Sequence, residues 1–214
     1  MIAPSHIRLL ETALPTIPLP SLVPTLNWPS LDSSYSRVDL DHFPSPDAEY
    51  WRHSCGEFGA WSECFIAVVR GARERIWLID GFLLKIDAHA KGCFVDVFER
   101  VLGETSAWDV RLLTSGKEGH RDQIDLLRVL QDQRRAPPRN EGFTLKVRYV
   151  RDGKSRARLP HDRFSIIDDE LWHWGANVGG THHEVNAFSR GWSAQESQAV
   201  VYFERLWNEA EVWL

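Results

Sequence analysis

The 214-residue sequence has no run of about 18 apolar residues, so no membrane span is expected. Its first stretch, MIAPSHIRLLETALPTIPLP, lacks a basic start followed by an unbroken apolar core, and it does not read as a signal peptide. Cysteine is scarce. Cys55, Cys64 and Cys93 are odd in number and form no CxxC pair, which excludes a disulfide framework. They read as reduced thiols of a cytoplasmic protein. HExxH and Cys/His zinc spacings are absent, so no metal is assigned. No internal repeat is present. Proline is rare beyond residue 46, because eight of the eleven fall in the first 46 residues.

That uneven proline content divides the chain. Residues 1–45 cannot carry long helices or central strands and read as an extended arm. Leu10, Leu14, Leu19, Leu22, Leu26 and Trp28 give the arm apolar groups to lie on a surface or a partner subunit. Residues 46–214 are long enough for one domain with a sizeable core. There the pattern alternates. Helical spacing covers 57–73, 88–102 and 120–133, and Pro137 and Pro138 end the third of these. Short apolar or alternating runs at RIWLIDGFL (75–83), DVRLLTS (109–115) and FTLKVRYV (143–150) read as strands. RFSIID, LWHWGA and VNAFS add three more. A last helix follows, capped by Ser193 with Glu196 completing an S-x-x-E box, and striped by Val200, Phe203, Leu206, Trp207 and Ala210. Strands alternating with helices predict an α/β domain with a mixed β-sheet flanked by helices.

Charge is also uneven. The net charge is −5, yet residues 134–163 hold ten Lys/Arg against three Asp/Glu, a local +7. A basic block in an acidic chain suits a polyanion such as DNA or RNA. Within and beside it, Arg148, Arg156, Arg158, His182 and His183 are candidate substrate-binding residues. Phe143 and Tyr149 are the aromatic residues of the block that offer a surface for base stacking. No basic amphipathic helix marks a lipid surface.

The densest chemistry lies in LPHDRFSIIDDELWHWGAN, residues 159–177. In an extended strand His161 and Arg163 face the same way. An imidazole can attack or move a proton, and a guanidinium fork neutralises phosphate oxygens. Asp168, at the strand end, is placed to orient an imidazole from a neighbouring segment. Gly175-Ala176-Asn177 opens a turn that lets backbone and an amide approach a ligand. Glu184 opens the next strand and can bond an imidazole from behind. A divalent-metal reading through His182, His183 and Glu184 with His161 and Asp162 is weaker, because adjacent strand residues point to opposite faces. Asp80 ends a strand, and a cap or loop bond is its expected role.

His161-x-Arg163-x(4)-Asp168 followed by Gly175-Ala176-Asn177 resembles the phospholipase D superfamily signature, His-x-Lys-x(4)-Asp and a Gly-Ser and Asn turn. Glu184 looks like the acidic residue that often follows. The order of elements from about residue 57 to 210 is similar to one half of such an enzyme, and the HDRF run looks like the small bacterial proteins of that type. Arginine stands where the family has lysine, and Asn177 sits one place early. The resemblance implies a phosphodiesterase, a nuclease before a lipase, that works without metal or cofactor. One histidine forms a phosphohistidine, and a second protonates the leaving oxygen and then activates water. The enzyme needs two motifs and this chain has one, so the resemblance implies a homodimer sharing its site across a two-fold interface. Arg163 also admits a second reading: a catalytically silent phosphate- or nucleic-acid-binding adaptor in a larger bacterial assembly.

Overall fold

The computed structural model describes residues 25–29, 35–37, 63–84, 102–116, 121–135, 142–151, 158–180 and 188–214. Its elements are β1 (Thr25–Pro29), β2 (Tyr35–Arg37), α1 (Glu63–Gly71), β3 (Arg75–Ile79), β4 (Asp109–Ser115), α2 (Arg121–Arg135), β5 (Thr144–Val150), β6 (Arg163–Ile167), β7 (Glu170–Trp174), a 3-10 turn (Val178–Gly180), β8 (Phe188–Ser193), α3 (Ala199–Glu209) and β9 (Glu211–Val212). Among the described residues the strands form one sheet in the order β2-β1-β8-β7-β6-β3-β4-β5-β9. β3, β4 and β5 run parallel, and every other pairing is antiparallel. This is the expected mixed sheet flanked by helices.

Parallel strands need crossovers, and helices on both faces bury them. The β3 sequence RIWLI shows the result. Ile76 and Leu78 enter one core with Phe65, Ile66 and Val69 of α1 and Ile124, Leu127 and Leu130 of α2. Trp77 and Ile79, one step along, enter the other with Val200, Phe203, Leu206 and Trp207 of α3. A continuous apolar run is what a strand covered on both sides requires. The first core contains a ring cluster in which Phe65 meets Trp172 and Trp174 edge-on at 5.3 and 4.8 Å. Phe188 stacks on Trp172 at 5.5 Å. Trp174 donates its indole N–H to Ser165 Oγ at 2.9 Å, which satisfies both buried polar groups.

Three expectations change. The last helix begins at Ala199, after a left-handed Gln198 (φ 62°), not beside Ser193. Ser193 Oγ does accept from the Glu196 N–H at 3.1 Å, but that bond closes a turn braced by Asp169, which accepts from Ser193 Oγ and from the Gln195 N–H. The strand expected at VNAFS lies later, at Phe188–Ser193, and residues 185–187 are outside the described residues. Thr25–Pro29 of the arm is a strand flanked on both sides, by β2 and β8. Its proline sits at the strand's last position, where the missing N–H costs the ladder least. The helix expected at 88–102 lies outside the described residues except for its last residue.

Candidate functional site

Asp80 organises the site. It follows β3 and sits in the core with 1% of its side chain exposed. Oδ1 accepts the Phe82 N–H at 2.8 Å, a two-residue turn of the kind aspartate favours. Oδ2 accepts the Val178 N–H at 2.9 Å, which holds the turn after β7 against β3. Gly179 in that turn has φ 83°, a left-handed value that suits glycine. Arg163 Nε lies 3.2 Å from Asp80 Oδ1. Burial raises the Asp80 carboxyl above its usual range. The Phe82 and Val178 N–H bonds and the Arg163 charge pull it the other way. Three segments distant in sequence therefore converge on one carboxylate: 80–82, Arg163, and the turn that carries Asn177.

Arg163 opens β6 opposite Trp174, with its side chain 19% exposed and its guanidinium carbon 5.2 Å from the Phe82 ring centroid. Phe82 itself is 39% exposed. Asn177 is half-buried. His161 is fully exposed in the bend before β6. The strand's alternation begins at Arg163, so the shared face expected of His161 and Arg163 is not enforced by strand pairing. Asp162 stands between two imidazoles: its Oδ1 is 3.9 Å from His161 Nδ1 and its Oδ2 is 3.9 Å from His173 Nε2. Those distances exceed a hydrogen bond and make electrostatic neighbours only.

Asp168, expected to orient an imidazole, meets backbone N–H groups among the described residues. It lies at the far end of β6, roughly 20 Å from His161 at a strand's rise per residue. Its Oδ1 accepts the N–H groups of Arg73, Glu74 and Arg75 at 3.2, 2.8 and 3.1 Å, and Oδ2 also accepts from Arg73 at 3.1 Å. Its φ of 52° is a left-handed conformation that aspartate tolerates better than most residues. The residue pins the loop between α1 and β3 to the β6–β7 hairpin.

Arg148 is likewise spent on structure. It lies on β5, three strands from Arg163, or roughly 14 Å at normal strand spacing. Its guanidinium donates to the Trp207 carbonyl at the end of α3 and lies 4.8 Å from the Trp207 ring. Burial and the nearby Arg111 charge lower its pKa. Much of the basic block is engaged in the same way. Arg134 donates to the Thr105 carbonyl and Arg135 to that of Phe143. Arg151 pairs with Glu211 at 3.1 Å. Phe143 is buried, and Tyr149 packs on Trp213 with its hydroxyl on Glu211. Phe143 is closed to a base, and Tyr149 is half-buried. Lys146 and Arg158 are exposed. Arg156, His182, His183 and Glu184 lie outside the described residues. Among the described residues no three His, Cys, Asp or Glu side chains gather as a metal site, and no helix is long and apolar enough to cross a membrane.

Asp80 makes the loop bonds expected of it; its pairing with Arg163, and the nearness of Phe82 to that pair, were not legible in sequence alone. A carboxylate at a strand end followed two residues later by an aromatic ring carries no distinctive spacing; only strand order puts both beside Arg163.

No protein-family model and no curated protein matches the sequence. Solved structures of similar fold include a phospholipase D family member, Nuc, from Salmonella typhimurium. That match has a TM-score of 0.47 at 8% identity over 70% of this chain and 88% of that one. NucT from Helicobacter pylori is similar at a TM-score of 0.43 and 13% identity, over 90% of this chain and all of that one. Phosphatidylserine synthase from Haemophilus influenzae Rd KW20 is similar at 0.42 and 18% identity, over 65% of this chain but only 33% of that one.

Proposed function

We propose that the chain is a metal-independent phosphodiesterase, a nuclease acting through His161 at a site completed by a second copy of itself. The observation that carries this reading is a fully exposed imidazole two residues from a guanidinium held in place by a buried carboxylate. Arg163 is held through Nε, which leaves its two terminal amino groups to fork onto phosphate. His161 attacks phosphorus and carries the phosphoryl group. A second His161 from the partner protonates the leaving oxygen and then activates water. Asn177 contributes an amide at the turn, and the resemblance gives Glu184 the task of orienting an imidazole. Asp168 supports the strand that carries the site. No cofactor is required in this scheme.

The test is hydrolysis of single- and double-stranded DNA and RNA in excess chelator. His161→Ala should abolish turnover and leave binding largely intact, and Arg163→Ala should weaken both. Full hydrolysis by His161→Ala, or complete loss in chelator, refutes the phosphohistidine scheme. A monomer in X-ray scattering refutes the shared site.

The Arg163–Asp80 pair favours a second reading. A guanidinium whose charge is already partly answered by a carboxylate binds phosphate less avidly than a free one. On that reading the chain is a phosphate- or nucleic-acid-binding adaptor without turnover. Arg163→Lys separates the two: a gain in hydrolysis marks a site drifting toward binding alone.

A further inference from the structure

We infer that Asp80 is a specificity residue of this site: it lets Arg163 hold a singly charged phosphodiester and turns away a doubly charged phosphomonoester, the product of diester hydrolysis. The inference rests on the proposed phosphate role of Arg163 and names which phosphates that site takes. Three observations carry it. Asp80 has 1% of its side chain exposed, and Arg163 Nε lies 3.2 Å from its Oδ1. Every partner of its two oxygens among the described residues is an N–H donor. The Phe82 N–H at 2.8 Å and Arg163 meet Oδ1, and the Val178 N–H at 2.9 Å meets Oδ2. Those surroundings suit a carboxylate, because a carboxylic acid needs an acceptor for its own proton. The Arg163 guanidinium, finally, is already approached by Asp80 at Nε and by the Phe82 ring, whose centroid is 5.2 Å from its central carbon. Its terminal amino groups are what remains for phosphate, so a bound phosphoryl group sits beyond the guanidinium, within reach of the Asp80 charge.

Together Asp80 and Arg163 carry no net charge. Of the segments that bond to Asp80, β6 supplies Arg163, while Phe82, Val178 and the Leu113 carbonyl of β4 bring no titratable side chain. A phosphodiester adds one negative charge, which the guanidinium fork answers through directed N–H bonds. A monoester adds a second once its last proton leaves, ordinarily near about pH 6. That second charge faces a buried carboxylate, which salt screens poorly. At a separation of roughly 8 Å one added charge changes affinity roughly 10-fold. Hydrolysis breaks one P–O ester bond, puts the oxygen of water on phosphorus and a proton on the leaving oxygen. It therefore turns the anion that the site accepts into the one that it rejects, and the carboxylate favours release of the newly phosphorylated end. Phosphates in the interior of a strand, all diesters, are taken before a phosphorylated terminus.

The test uses the full chain carrying His161→Ala, which should bind without turnover, at about pH 8, where a phosphomonoester holds both charges. The probes are thymidine 3′-monophosphate and its methyl ester, which share base and sugar and differ by one charge. Titration followed by phosphorus NMR reads the affinity of each. The methyl ester should bind roughly 10-fold more tightly than the monophosphate. Asp80→Asn in the same background should close that gap. The ratio of the two probes is taken within each variant, so the general loosening that a purely structural Asp80 would also cause cancels. At about pH 5 the monophosphate regains a proton, and the gap should close with Asp80 untouched, which decides the matter if Asp80→Asn does not fold. Asp162 and His173, at the rim, act on both probes and drop out of the ratio. Equal affinities at the higher pH, or a monophosphate that binds more tightly, overturn the inference. So does a gap that survives Asp80→Asn or the lower pH. Arg163→Ala must weaken both probes. If it weakens neither, or if neither probe binds, the phosphate reading itself fails; if it weakens both while they bind equally, selection by Asp80 alone fails.

Discussion

Replacing Asp168 with Ala, Gly and Asn separates a structural clamp from a catalytic carboxylate. The side chain binds three N–H groups, and all three reach Oδ1. The loop is largely exposed, so water recovers part of each bond, and a net value of about 1 kcal/mol per N–H applies. Asp168→Ala then costs about 3 kcal/mol in bonding. A further ~1 kcal/mol comes from placing alanine at a left-handed φ. Asp168→Gly loses the bonds without that strain and costs about 3 kcal/mol. Asp168→Asn keeps an amide oxygen for the three donors and loses only the charge assistance, about 1 kcal/mol. For a chain of this length each kcal/mol moves the melting temperature by about 2–4 °C, so Asp168→Ala should fall by roughly 8–16 °C and Asp168→Asn by a few degrees. Urea unfolding measures the order, and chelator-treated hydrolysis is read on the same samples. Asp168→Asn should keep its turnover. Turnover lost in Asp168→Asn to the depth of His161→Ala, with stability little changed, refutes the clamp and restores the carboxylate to the chemistry.

Two further outcomes follow from the charges. Because burial raises the Asp80 carboxyl above its ordinary 3.8, the folded state holds that proton more tightly than the unfolded chain does. Its contribution is complete below 3.8 and is lost as pH rises through the folded value, so stability should decline over that window. Asp80→Asn should remove that decline, and a variant that keeps it refutes the assignment to Asp80. Arg148→Ala should cost about 1–2 kcal/mol through the lost carbonyl bond and ring contact, and leave nucleic-acid affinity unchanged. A fall in affinity at constant stability returns Arg148 to the binding surface.

The layout of the domain was legible because its strands are covered on two faces. RIWLIDGFL, DVRLLTS and FTLKVRYV read as strands from their apolar runs; the second is met residue for residue, the third starts one residue later, and the first stops at Ile79, four residues early, where Asp80 opens a turn. The stripe of α3 was also correct, but its start was not. The Ser193 signal is a true local bond, used in a turn that the neighbouring Asp169 completes. At the site, the spacing of His161 and Arg163 read as one strand face, but β6 begins only at Arg163, and the exact start of a strand is not legible from residues two apart. A carboxylate at a strand end such as Asp168 looks the same in sequence whether it faces a ring or a loop, and the loop contacts it makes are visible only on folding. Its partners are more than 90 positions away in the chain. The basic block is legible only in part for the same reason. Its charge is visible in sequence, whereas the carbonyls and carboxylates that engage Arg134, Arg135, Arg148 and Arg151 appear only on folding.

Among the described residues the outermost strands of the sheet are very short, Tyr35–Arg37 at one side and Glu211–Val212 at the other. A long flat rim invites another chain to add strands and so templates fibrous association; a rim of two or three residues gives an incoming strand too few donors and acceptors to hold. At the β9 side the rim also carries Glu211, tied to Arg151 and Tyr149, which would have to be desolvated. If two copies share the site as proposed, extension at these strands is the least favoured route, and contacts at the ends of the strands, where the exposed imidazole lies, fit that pairing better.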